Sequence, residues 1–144
     1  MNTGNTKTVT ILVVEDDDVD MMAIQRAFKQ CKINNPLIRA KDGLEALAML
    51  RGEDTYSAVA KPFLIILDIN MPRMNGFDFL KKIRNDKELK TAIVFMLTTS
   101  KTENDINRAY EYNVAGYISK TNVNNGFITI IKMIDSYWRV IEFP

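Results

Sequence analysis

Five of the six residues from Glu15 to Asp20 are acidic, and a further carboxylate, Asp68, ends another apolar run. If those two runs are neighbouring strands, several carboxylates converge at close range and repel one another. A hard cation relieves such repulsion, and with oxygen ligands alone Mg²⁺ or Mn²⁺ is the natural choice over zinc or copper. Asp16, just past its apolar run and next to Glu15, points with the pocket. Asp17 or Asp18 is placed to cap a following helix and favour its positive dipole end, and Asp20 reads as plain surface. Asp68 follows Phe-Leu-Ile-Ile-Leu. A carboxylate closing a fully buried strand costs several kcal/mol unless it is paired or ligated, and the next helical pattern begins too far away for Asp68 to be its cap.

Two more side chains join this chemistry. Taken singly, Thr98 is an ordinary β-branched strand residue and Lys120 an ordinary surface amine. A hydroxyl donor and an ammonium aimed into one acidic pocket are what an incoming phosphoryl group requires, because that group carries about two negative charges and three acceptor oxygens. The chain contains no histidine, which excludes Ser-His-Asp and Cys-His nucleophilic sites, His-ligated metals and a phosphohistidine of its own. Cys31 is the single cysteine, so no internal disulfide forms. Its expected role is a core thiol, in a reducing compartment.

The elements that must position these groups are read from hydrophobic period. Apolar runs predict strands over Val9 to Val14, Leu37 to Ala40, Phe63 to Leu67, Ala92 to Leu97 and Gly116 to Ile118. Between them, Met21, Ile24, Phe28 and Cys31 share one helix face. Further helices are expected from Gly43 to Leu50, from Phe77 to Arg84, from Glu103 to about Tyr112 with Thr102 as N-cap, and from near Asn125 onward. Alternation of this kind specifies a three-layer α/β/α doubly wound (βα)5 fold on five parallel strands. In such sheets functional groups collect beyond the carboxyl ends of the strands. Every strand end but the second is expected to carry a reactive or charged group. The stretch from Arg51 to Pro62 reads as a loose surface connection.

With 144 residues, 47% of them hydrophobic, the chain suits one globular domain, large enough to fold without disulfides or a structural metal. Its 19 basic against 18 acidic residues give no reason to expect nucleic acid or an anionic membrane as partner. Neither a transmembrane run nor a signal peptide is visible, and the expected location is cytoplasmic.

The segments Ile-Leu-Val-Val-Glu-Asp, Leu-Asp-Ile-Asn-Met-Pro-Arg-Met-Asn-Gly, Met-Leu-Thr-Thr-Ser and Ala-Gly-Tyr-Ile-Ser-Lys resemble, in the same order, those of the receiver domains of two-component response regulators. The resemblance runs from Val9 to about Trp138. It implies the flavodoxin-like strand order 2-1-3-4-5 and a phosphoacceptor, Asp68, that takes its group from a phosphohistidine on a sensor histidine kinase or histidine phosphotransfer protein. It further implies Mg²⁺ held by Asp16, Asp68 and the backbone carbonyl of Asn70, with Glu15 completing the acidic pair. Thr98 would engage the phosphoryl group, Lys120 would be its salt-bridge partner, and Tyr117 would be an aromatic switch that follows Thr98.

Three features depart from the family pattern. Thr121 stands where the family often has proline after the lysine, so no cis bond is demanded there. Glu15 replaces aspartate in the acidic pair, which favours a water-mediated contact to the metal. Asn70, Thr99 and Ser100 line the approach of water and are candidates for setting phosphate lifetime. A phosphohydrolase that uses an Asp nucleophile after a buried strand is the rival reading, but its signature needs a second Asp where this chain has Asn70.

Residues 1–8 read as a flexible tail and 9–144 as a single receiver domain with no output domain, so that signalling would pass through a protein contact. In the final helix, Phe127, Ile130, Ile131, Met133, Ile134, Tyr137, Trp138, Val140 and Ile141 cover roughly half the circumference, more than packing on a sheet uses. The surplus, with Met133, Tyr137 and Val140 farthest from the sheet, is expected to form a homodimer. The long loop before strand three, the Leu-Thr-Thr-Ser segment and the aromatic tail resemble small stand-alone regulators paired with phytochrome-type sensor kinases.

Overall fold

A computed structural model describes residues 8–122 and 127–144. The strands are β1 (Thr10–Val14), β2 (Leu37–Ala40), β3 (Phe63–Leu67), β4 (Ile93–Thr98) and β5 (Gly116–Ser119). They pair in parallel in the order β2-β1-β3-β4-β5, as expected. The helices are α1 (Asp18–Gln30), α2 (Gly43–Arg51), α3 (Gly76–Arg84), α4 (Glu103–Glu111) and α5 (Ile128–Val140). The tail expected over residues 1–8 lies almost wholly outside the described residues, as does the start of the last helix near Asn125.

Alternation along the strands divides the core in two. Leu12, Val14, Ile65, Leu67, Val94 and Met96 pack with residues of α2 and α3, while Ile11, Val13, Leu64, Ile66, Phe95 and Leu97 pack with α1 and α5. Both faces of the sheet are therefore apolar, which is why the strands read as continuous apolar runs rather than alternating ones. Cys31 is half-buried at the C-cap of α1, against the second of these clusters.

Two expectations need correction. The connection from Arg51 to Pro62 is tied down rather than loose: Val59 is buried, its N–H donates to the Met49 carbonyl at 3.2 Å, and the Tyr56 hydroxyl donates to Glu45 at 2.6 Å. The second strand end is also not chemically plain. Asp42, just beyond β2, is buried and caps α2 by accepting the Glu45 N–H.

Candidate functional site

The register Val14↔Leu67 brings Glu15 and Asp68 out of the sheet side by side. Their backbones are held there, with Asp68 N–H donating to the Val14 carbonyl at 3.1 Å and Glu15 N–H to that of Ala40 at 2.9 Å. Glu15 is 2% and Asp68 8% exposed, whereas Asp16 lies open at the mouth. One carboxylate oxygen from each of these three residues falls within 4.8 Å of the others. Arg39 braces the rim from β2, donating through Nε to the Glu15 carbonyl at 3.0 Å and pairing with Asp18 at 2.7 Å.

Lys120 reaches this cluster from the end of β5. Its Nζ lies 2.6 Å from Glu15 Oε1, 2.7 Å from Asp20 Oδ2 and 3.1 Å from Asp68 Oδ2. The reading of Asp20 as plain surface is thus wrong: the first turn of α1 swings its carboxylate onto the lysine. No local signal marks Asp20, because Asp16 precedes the Asp17 N-cap and stands outside α1.

Burial pushes the Glu15 carboxyl up to about 7; the hydrogen bond from Lys120 opposes this shift and the charge of Asp68 adds to it. For Lys120 burial acts downward, but hydrogen bonds to Asp20 and Glu15 and the charge of Asp68 outweigh it and hold the ammonium above the usual lysine range. One cation thus faces an excess of buried negative charge. An all-oxygen donor set with that excess fits a hard divalent cation.

The turn after Asp68 folds back on its own strand. Asp68 Oδ1 accepts the Ile69 N–H at 2.7 Å, Gly76 N–H returns to the Ile69 carbonyl at 2.8 Å, and Asn75 caps α3. A Cβ on Gly76 would collide with the Asp68 carbonyl oxygen, so this close approach requires glycine. Asn70 lies exposed in the turn. Arg73, with a φ of 62°, leaves the same turn to grip Asp42 through Nε at 2.6 Å and Nη2 at 3.1 Å. Sequence reading passed over both partners of this pair.

On the other side of the pocket, Thr98 is fully buried in the last position of β4, beside Ser119 of β5. Its Oγ1 has no hydrogen-bond partner among the described residues. Such a group costs about 1–3 kcal/mol when left unpaired, which marks it as a donor in waiting. Thr99 is exposed, while the Ser100 hydroxyl turns to α4 and donates to Asp105 at 2.6 Å. Tyr117 is half-buried, and its hydroxyl donates to the Ser100 carbonyl at 3.0 Å. After Lys120 the chain enters a short 3-10 helix closed by a Ser119–Thr121 hydroxyl contact of 2.8 Å. Among the described residues the cis peptide bond is Lys61–Pro62, not Lys120–Thr121.

The response regulator receiver domain family matches residues 11–132. The response regulator Rcp1 of Synechocystis sp. is 35% identical over 128 residues, covering 89% of this chain and 87% of that protein. The crystal structure of its Mn²⁺-bound form is similar, with a TM-score of 0.83 at 33% identity over 96% of this chain and 99% of that one. The phosphorylated cyanobacterial phytochrome response regulator RcpA gives a TM-score of 0.84 at 34% identity with the same coverage. Among the described residues no helix is long and apolar enough to cross a membrane.

Proposed function

Because the chain belongs to the response regulator receiver domain family, a family of signalling proteins, we propose that Asp68 is its phosphoacceptor. One Asp68 oxygen attacks the phosphorus of a partner's phosphohistidine, the P–N bond breaks, and the imidazole leaves with the partner. The observation that carries this reading is Asp68 itself: a buried carboxylate with an ammonium 3.1 Å away inside a cluster of oxygen donors. Asp16, Asp68 and the Asn70 backbone carbonyl would hold Mg²⁺, or Mn²⁺ in its place, with Glu15 acting through water. Bound there, the cation would shield the attacking carboxylate from the phosphoryl charge. Lys120 neutralises charge that develops on the phosphoryl oxygens, and the unpartnered Thr98 hydroxyl donates to one of them. Tyr117 follows Thr98, which gives the switch. Asn70, Thr99 and Ser100 set how fast the chain loses the group by its own hydrolysis.

The partner we propose is a sensor histidine kinase or histidine phosphotransfer protein of phytochrome type, in the cytoplasm. Similarity to RcpA, a phytochrome response regulator by name, supports it. Residues 9–144 act as a receiver domain whose output is a phosphorylation-dependent protein contact, and α5 supplies a homodimer surface.

Intact mass after incubation with acetyl phosphate and Mg²⁺ tests the acceptor. Wild type should gain one phosphoryl group and Asp68→Asn none, with the fold intact because the amide is isosteric. Equal labelling of the two proteins would move the acceptor elsewhere in the pocket.

A further inference from the structure

An ammonium has three N–H bonds, and Lys120 spends them on Glu15 at 2.6 Å, Asp20 at 2.7 Å and Asp68 at 3.1 Å. Two of these carboxylates face other demands. Glu15 and Asp68 belong, with Asp16, to the oxygen cluster that fits a cation, and Asp68 is the residue that would be phosphorylated. Asp20 stands outside that cluster, in the first turn of α1.

Helix capping does not account for it. An acid at this position ordinarily reaches back to the N–H of the capping residue. Here the Asp17 N–H already donates to Glu15 Oε2 at 3.2 Å, and the Asp17 carboxylate takes the N–H groups of Val19 and Asp20 at 2.8 and 3.1 Å. The Asp20 carboxylate is left to Lys120, a side chain 7% exposed against 30% for Asp20.

We propose that Asp20 is a positioning residue for phosphoryl transfer: it anchors the Lys120 ammonium from the α1 side, so that one N–H stays tied while another is aimed at the phosphoryl oxygens. This rests on the acceptor reading of Asp68. Once the cation draws on Glu15 and the phosphoryl group occupies Asp68, Asp20 is the one of the three carboxylates whose hold on Lys120 is unchanged. A lysine has a flexible four-carbon stem, and an unanchored one would sample positions away from the reacting group, where small misplacements are costly in rate.

The test is the rate of loading from acetyl phosphate at saturating Mg²⁺, followed by intact mass, with Mg²⁺ affinity measured separately by calorimetry and folding by thermal melting. Asp20→Asn should load about tenfold more slowly, with Mg²⁺ affinity within about twofold of wild type, and Asp20→Glu, which keeps the charge, should recover most of the rate. In a Lys120→Gln background Asp20→Asn should slow loading no further, because the group it holds is gone. Wild-type speed in Asp20→Asn, an equal slowing in the Lys120→Gln background, or a tenfold loss of Mg²⁺ affinity would each overturn the anchor, the last by making Asp20 a metal ligand. Loading of wild type is the separate control. Its failure removes the acceptor reading, whereas normal loading of both wild type and Asp20→Asn removes the anchor alone.

Discussion

Arg73, in the turn after Asp68, grips the buried carboxylate of Asp42 across the loops, Nε to Oδ2 at 2.6 Å and Nη2 to Oδ1 at 3.1 Å. The pair joins the turn carrying Asn70 to the N-terminus of α2, and the Gly43 N–H adds a second tie to the Met74 carbonyl at 3.0 Å. Asp42 also caps α2, so one carboxylate serves both the helix and the loop.

Asp42→Ala should cost about 1–2 kcal/mol, the range for a lost N-cap, read by chemical denaturation. Burial alone would raise the Asp42 carboxyl, but hydrogen bonds from Arg73 and the Glu45 N–H hold it below its ordinary value. With the folded value depressed, the unfolded chain takes up its proton first as pH falls. The stabilisation is therefore full above the ordinary aspartate range and disappears as pH drops through the lowered value. Arg73→Ala should shrink this acid-labile part, seen as a flatter dependence of melting temperature on pH below about 4.

Asp16→Asn should weaken Mg²⁺ binding at least about tenfold, since even partners outside a metal's direct ligands are worth that much. Asp20→Asn should leave it nearly unchanged. Calorimetric titration of both variants decides this, and equal losses would show that the strand end and the helix turn share the cation.

Glu15 gives a pH dependence of the opposite sign to Asp42. Its carboxyl is pushed up to about 7 from an ordinary 4.5, so between those values the folded state holds the proton more tightly and stability falls as pH rises. With divalent cations chelated, the protein should lose about 1–3 kcal/mol between pH 5 and 8. Glu15→Gln should abolish most of that loss, and Mg²⁺ should offset it in wild type. Denaturation curves across this range, with chelator and with Mg²⁺, give the check.

The apolar surplus of α5 divides less evenly than its sequence suggests. Met133 and Val140 are 43% and 82% exposed, but Tyr137 is half-buried and meets the Phe95 ring edge-on at 5.0 Å. Val140→Glu should therefore give a folded monomer by sedimentation with little change in melting temperature. Tyr137→Glu, by contrast, should lower the melting temperature along with any change in assembly. Ile134 is fully buried, and Ile134→Glu should destabilise the fold by several kcal/mol. Wild type that stays monomeric at high concentration would remove the dimer surface.

The strand order was legible only through the family resemblance, but the strands themselves and the residues at their ends were legible in the amino-acid sequence for a physical reason. A strand buried on both faces must be apolar along its length, so the first polar residues after each run mark its end. Glu15, Asp16, Asp68 and Lys120 stand out for that reason, and Thr98, expected just past β4, proves to be its final residue. Helix caps at Asp17 and Thr102 were legible because capping is local, decided within one turn.

What the sequence could not decide were contacts between residues far apart in the chain. Asp20 meets Lys120 across 100 positions and Asp42 meets Arg73 across 31; nothing local distinguishes either acid from a solvated surface residue. The turn out of Asp68 brings Arg73 to α2, and the seating of α1 on the sheet turns Asp20 toward β5. Tyr137 belongs with these cases, because helical period places it at the edge of the apolar arc and only the packing of α5 against β4 brings its ring onto Phe95. Local pattern reports whether a residue leaves water, whereas the partner it finds there depends on the tertiary arrangement of separate elements.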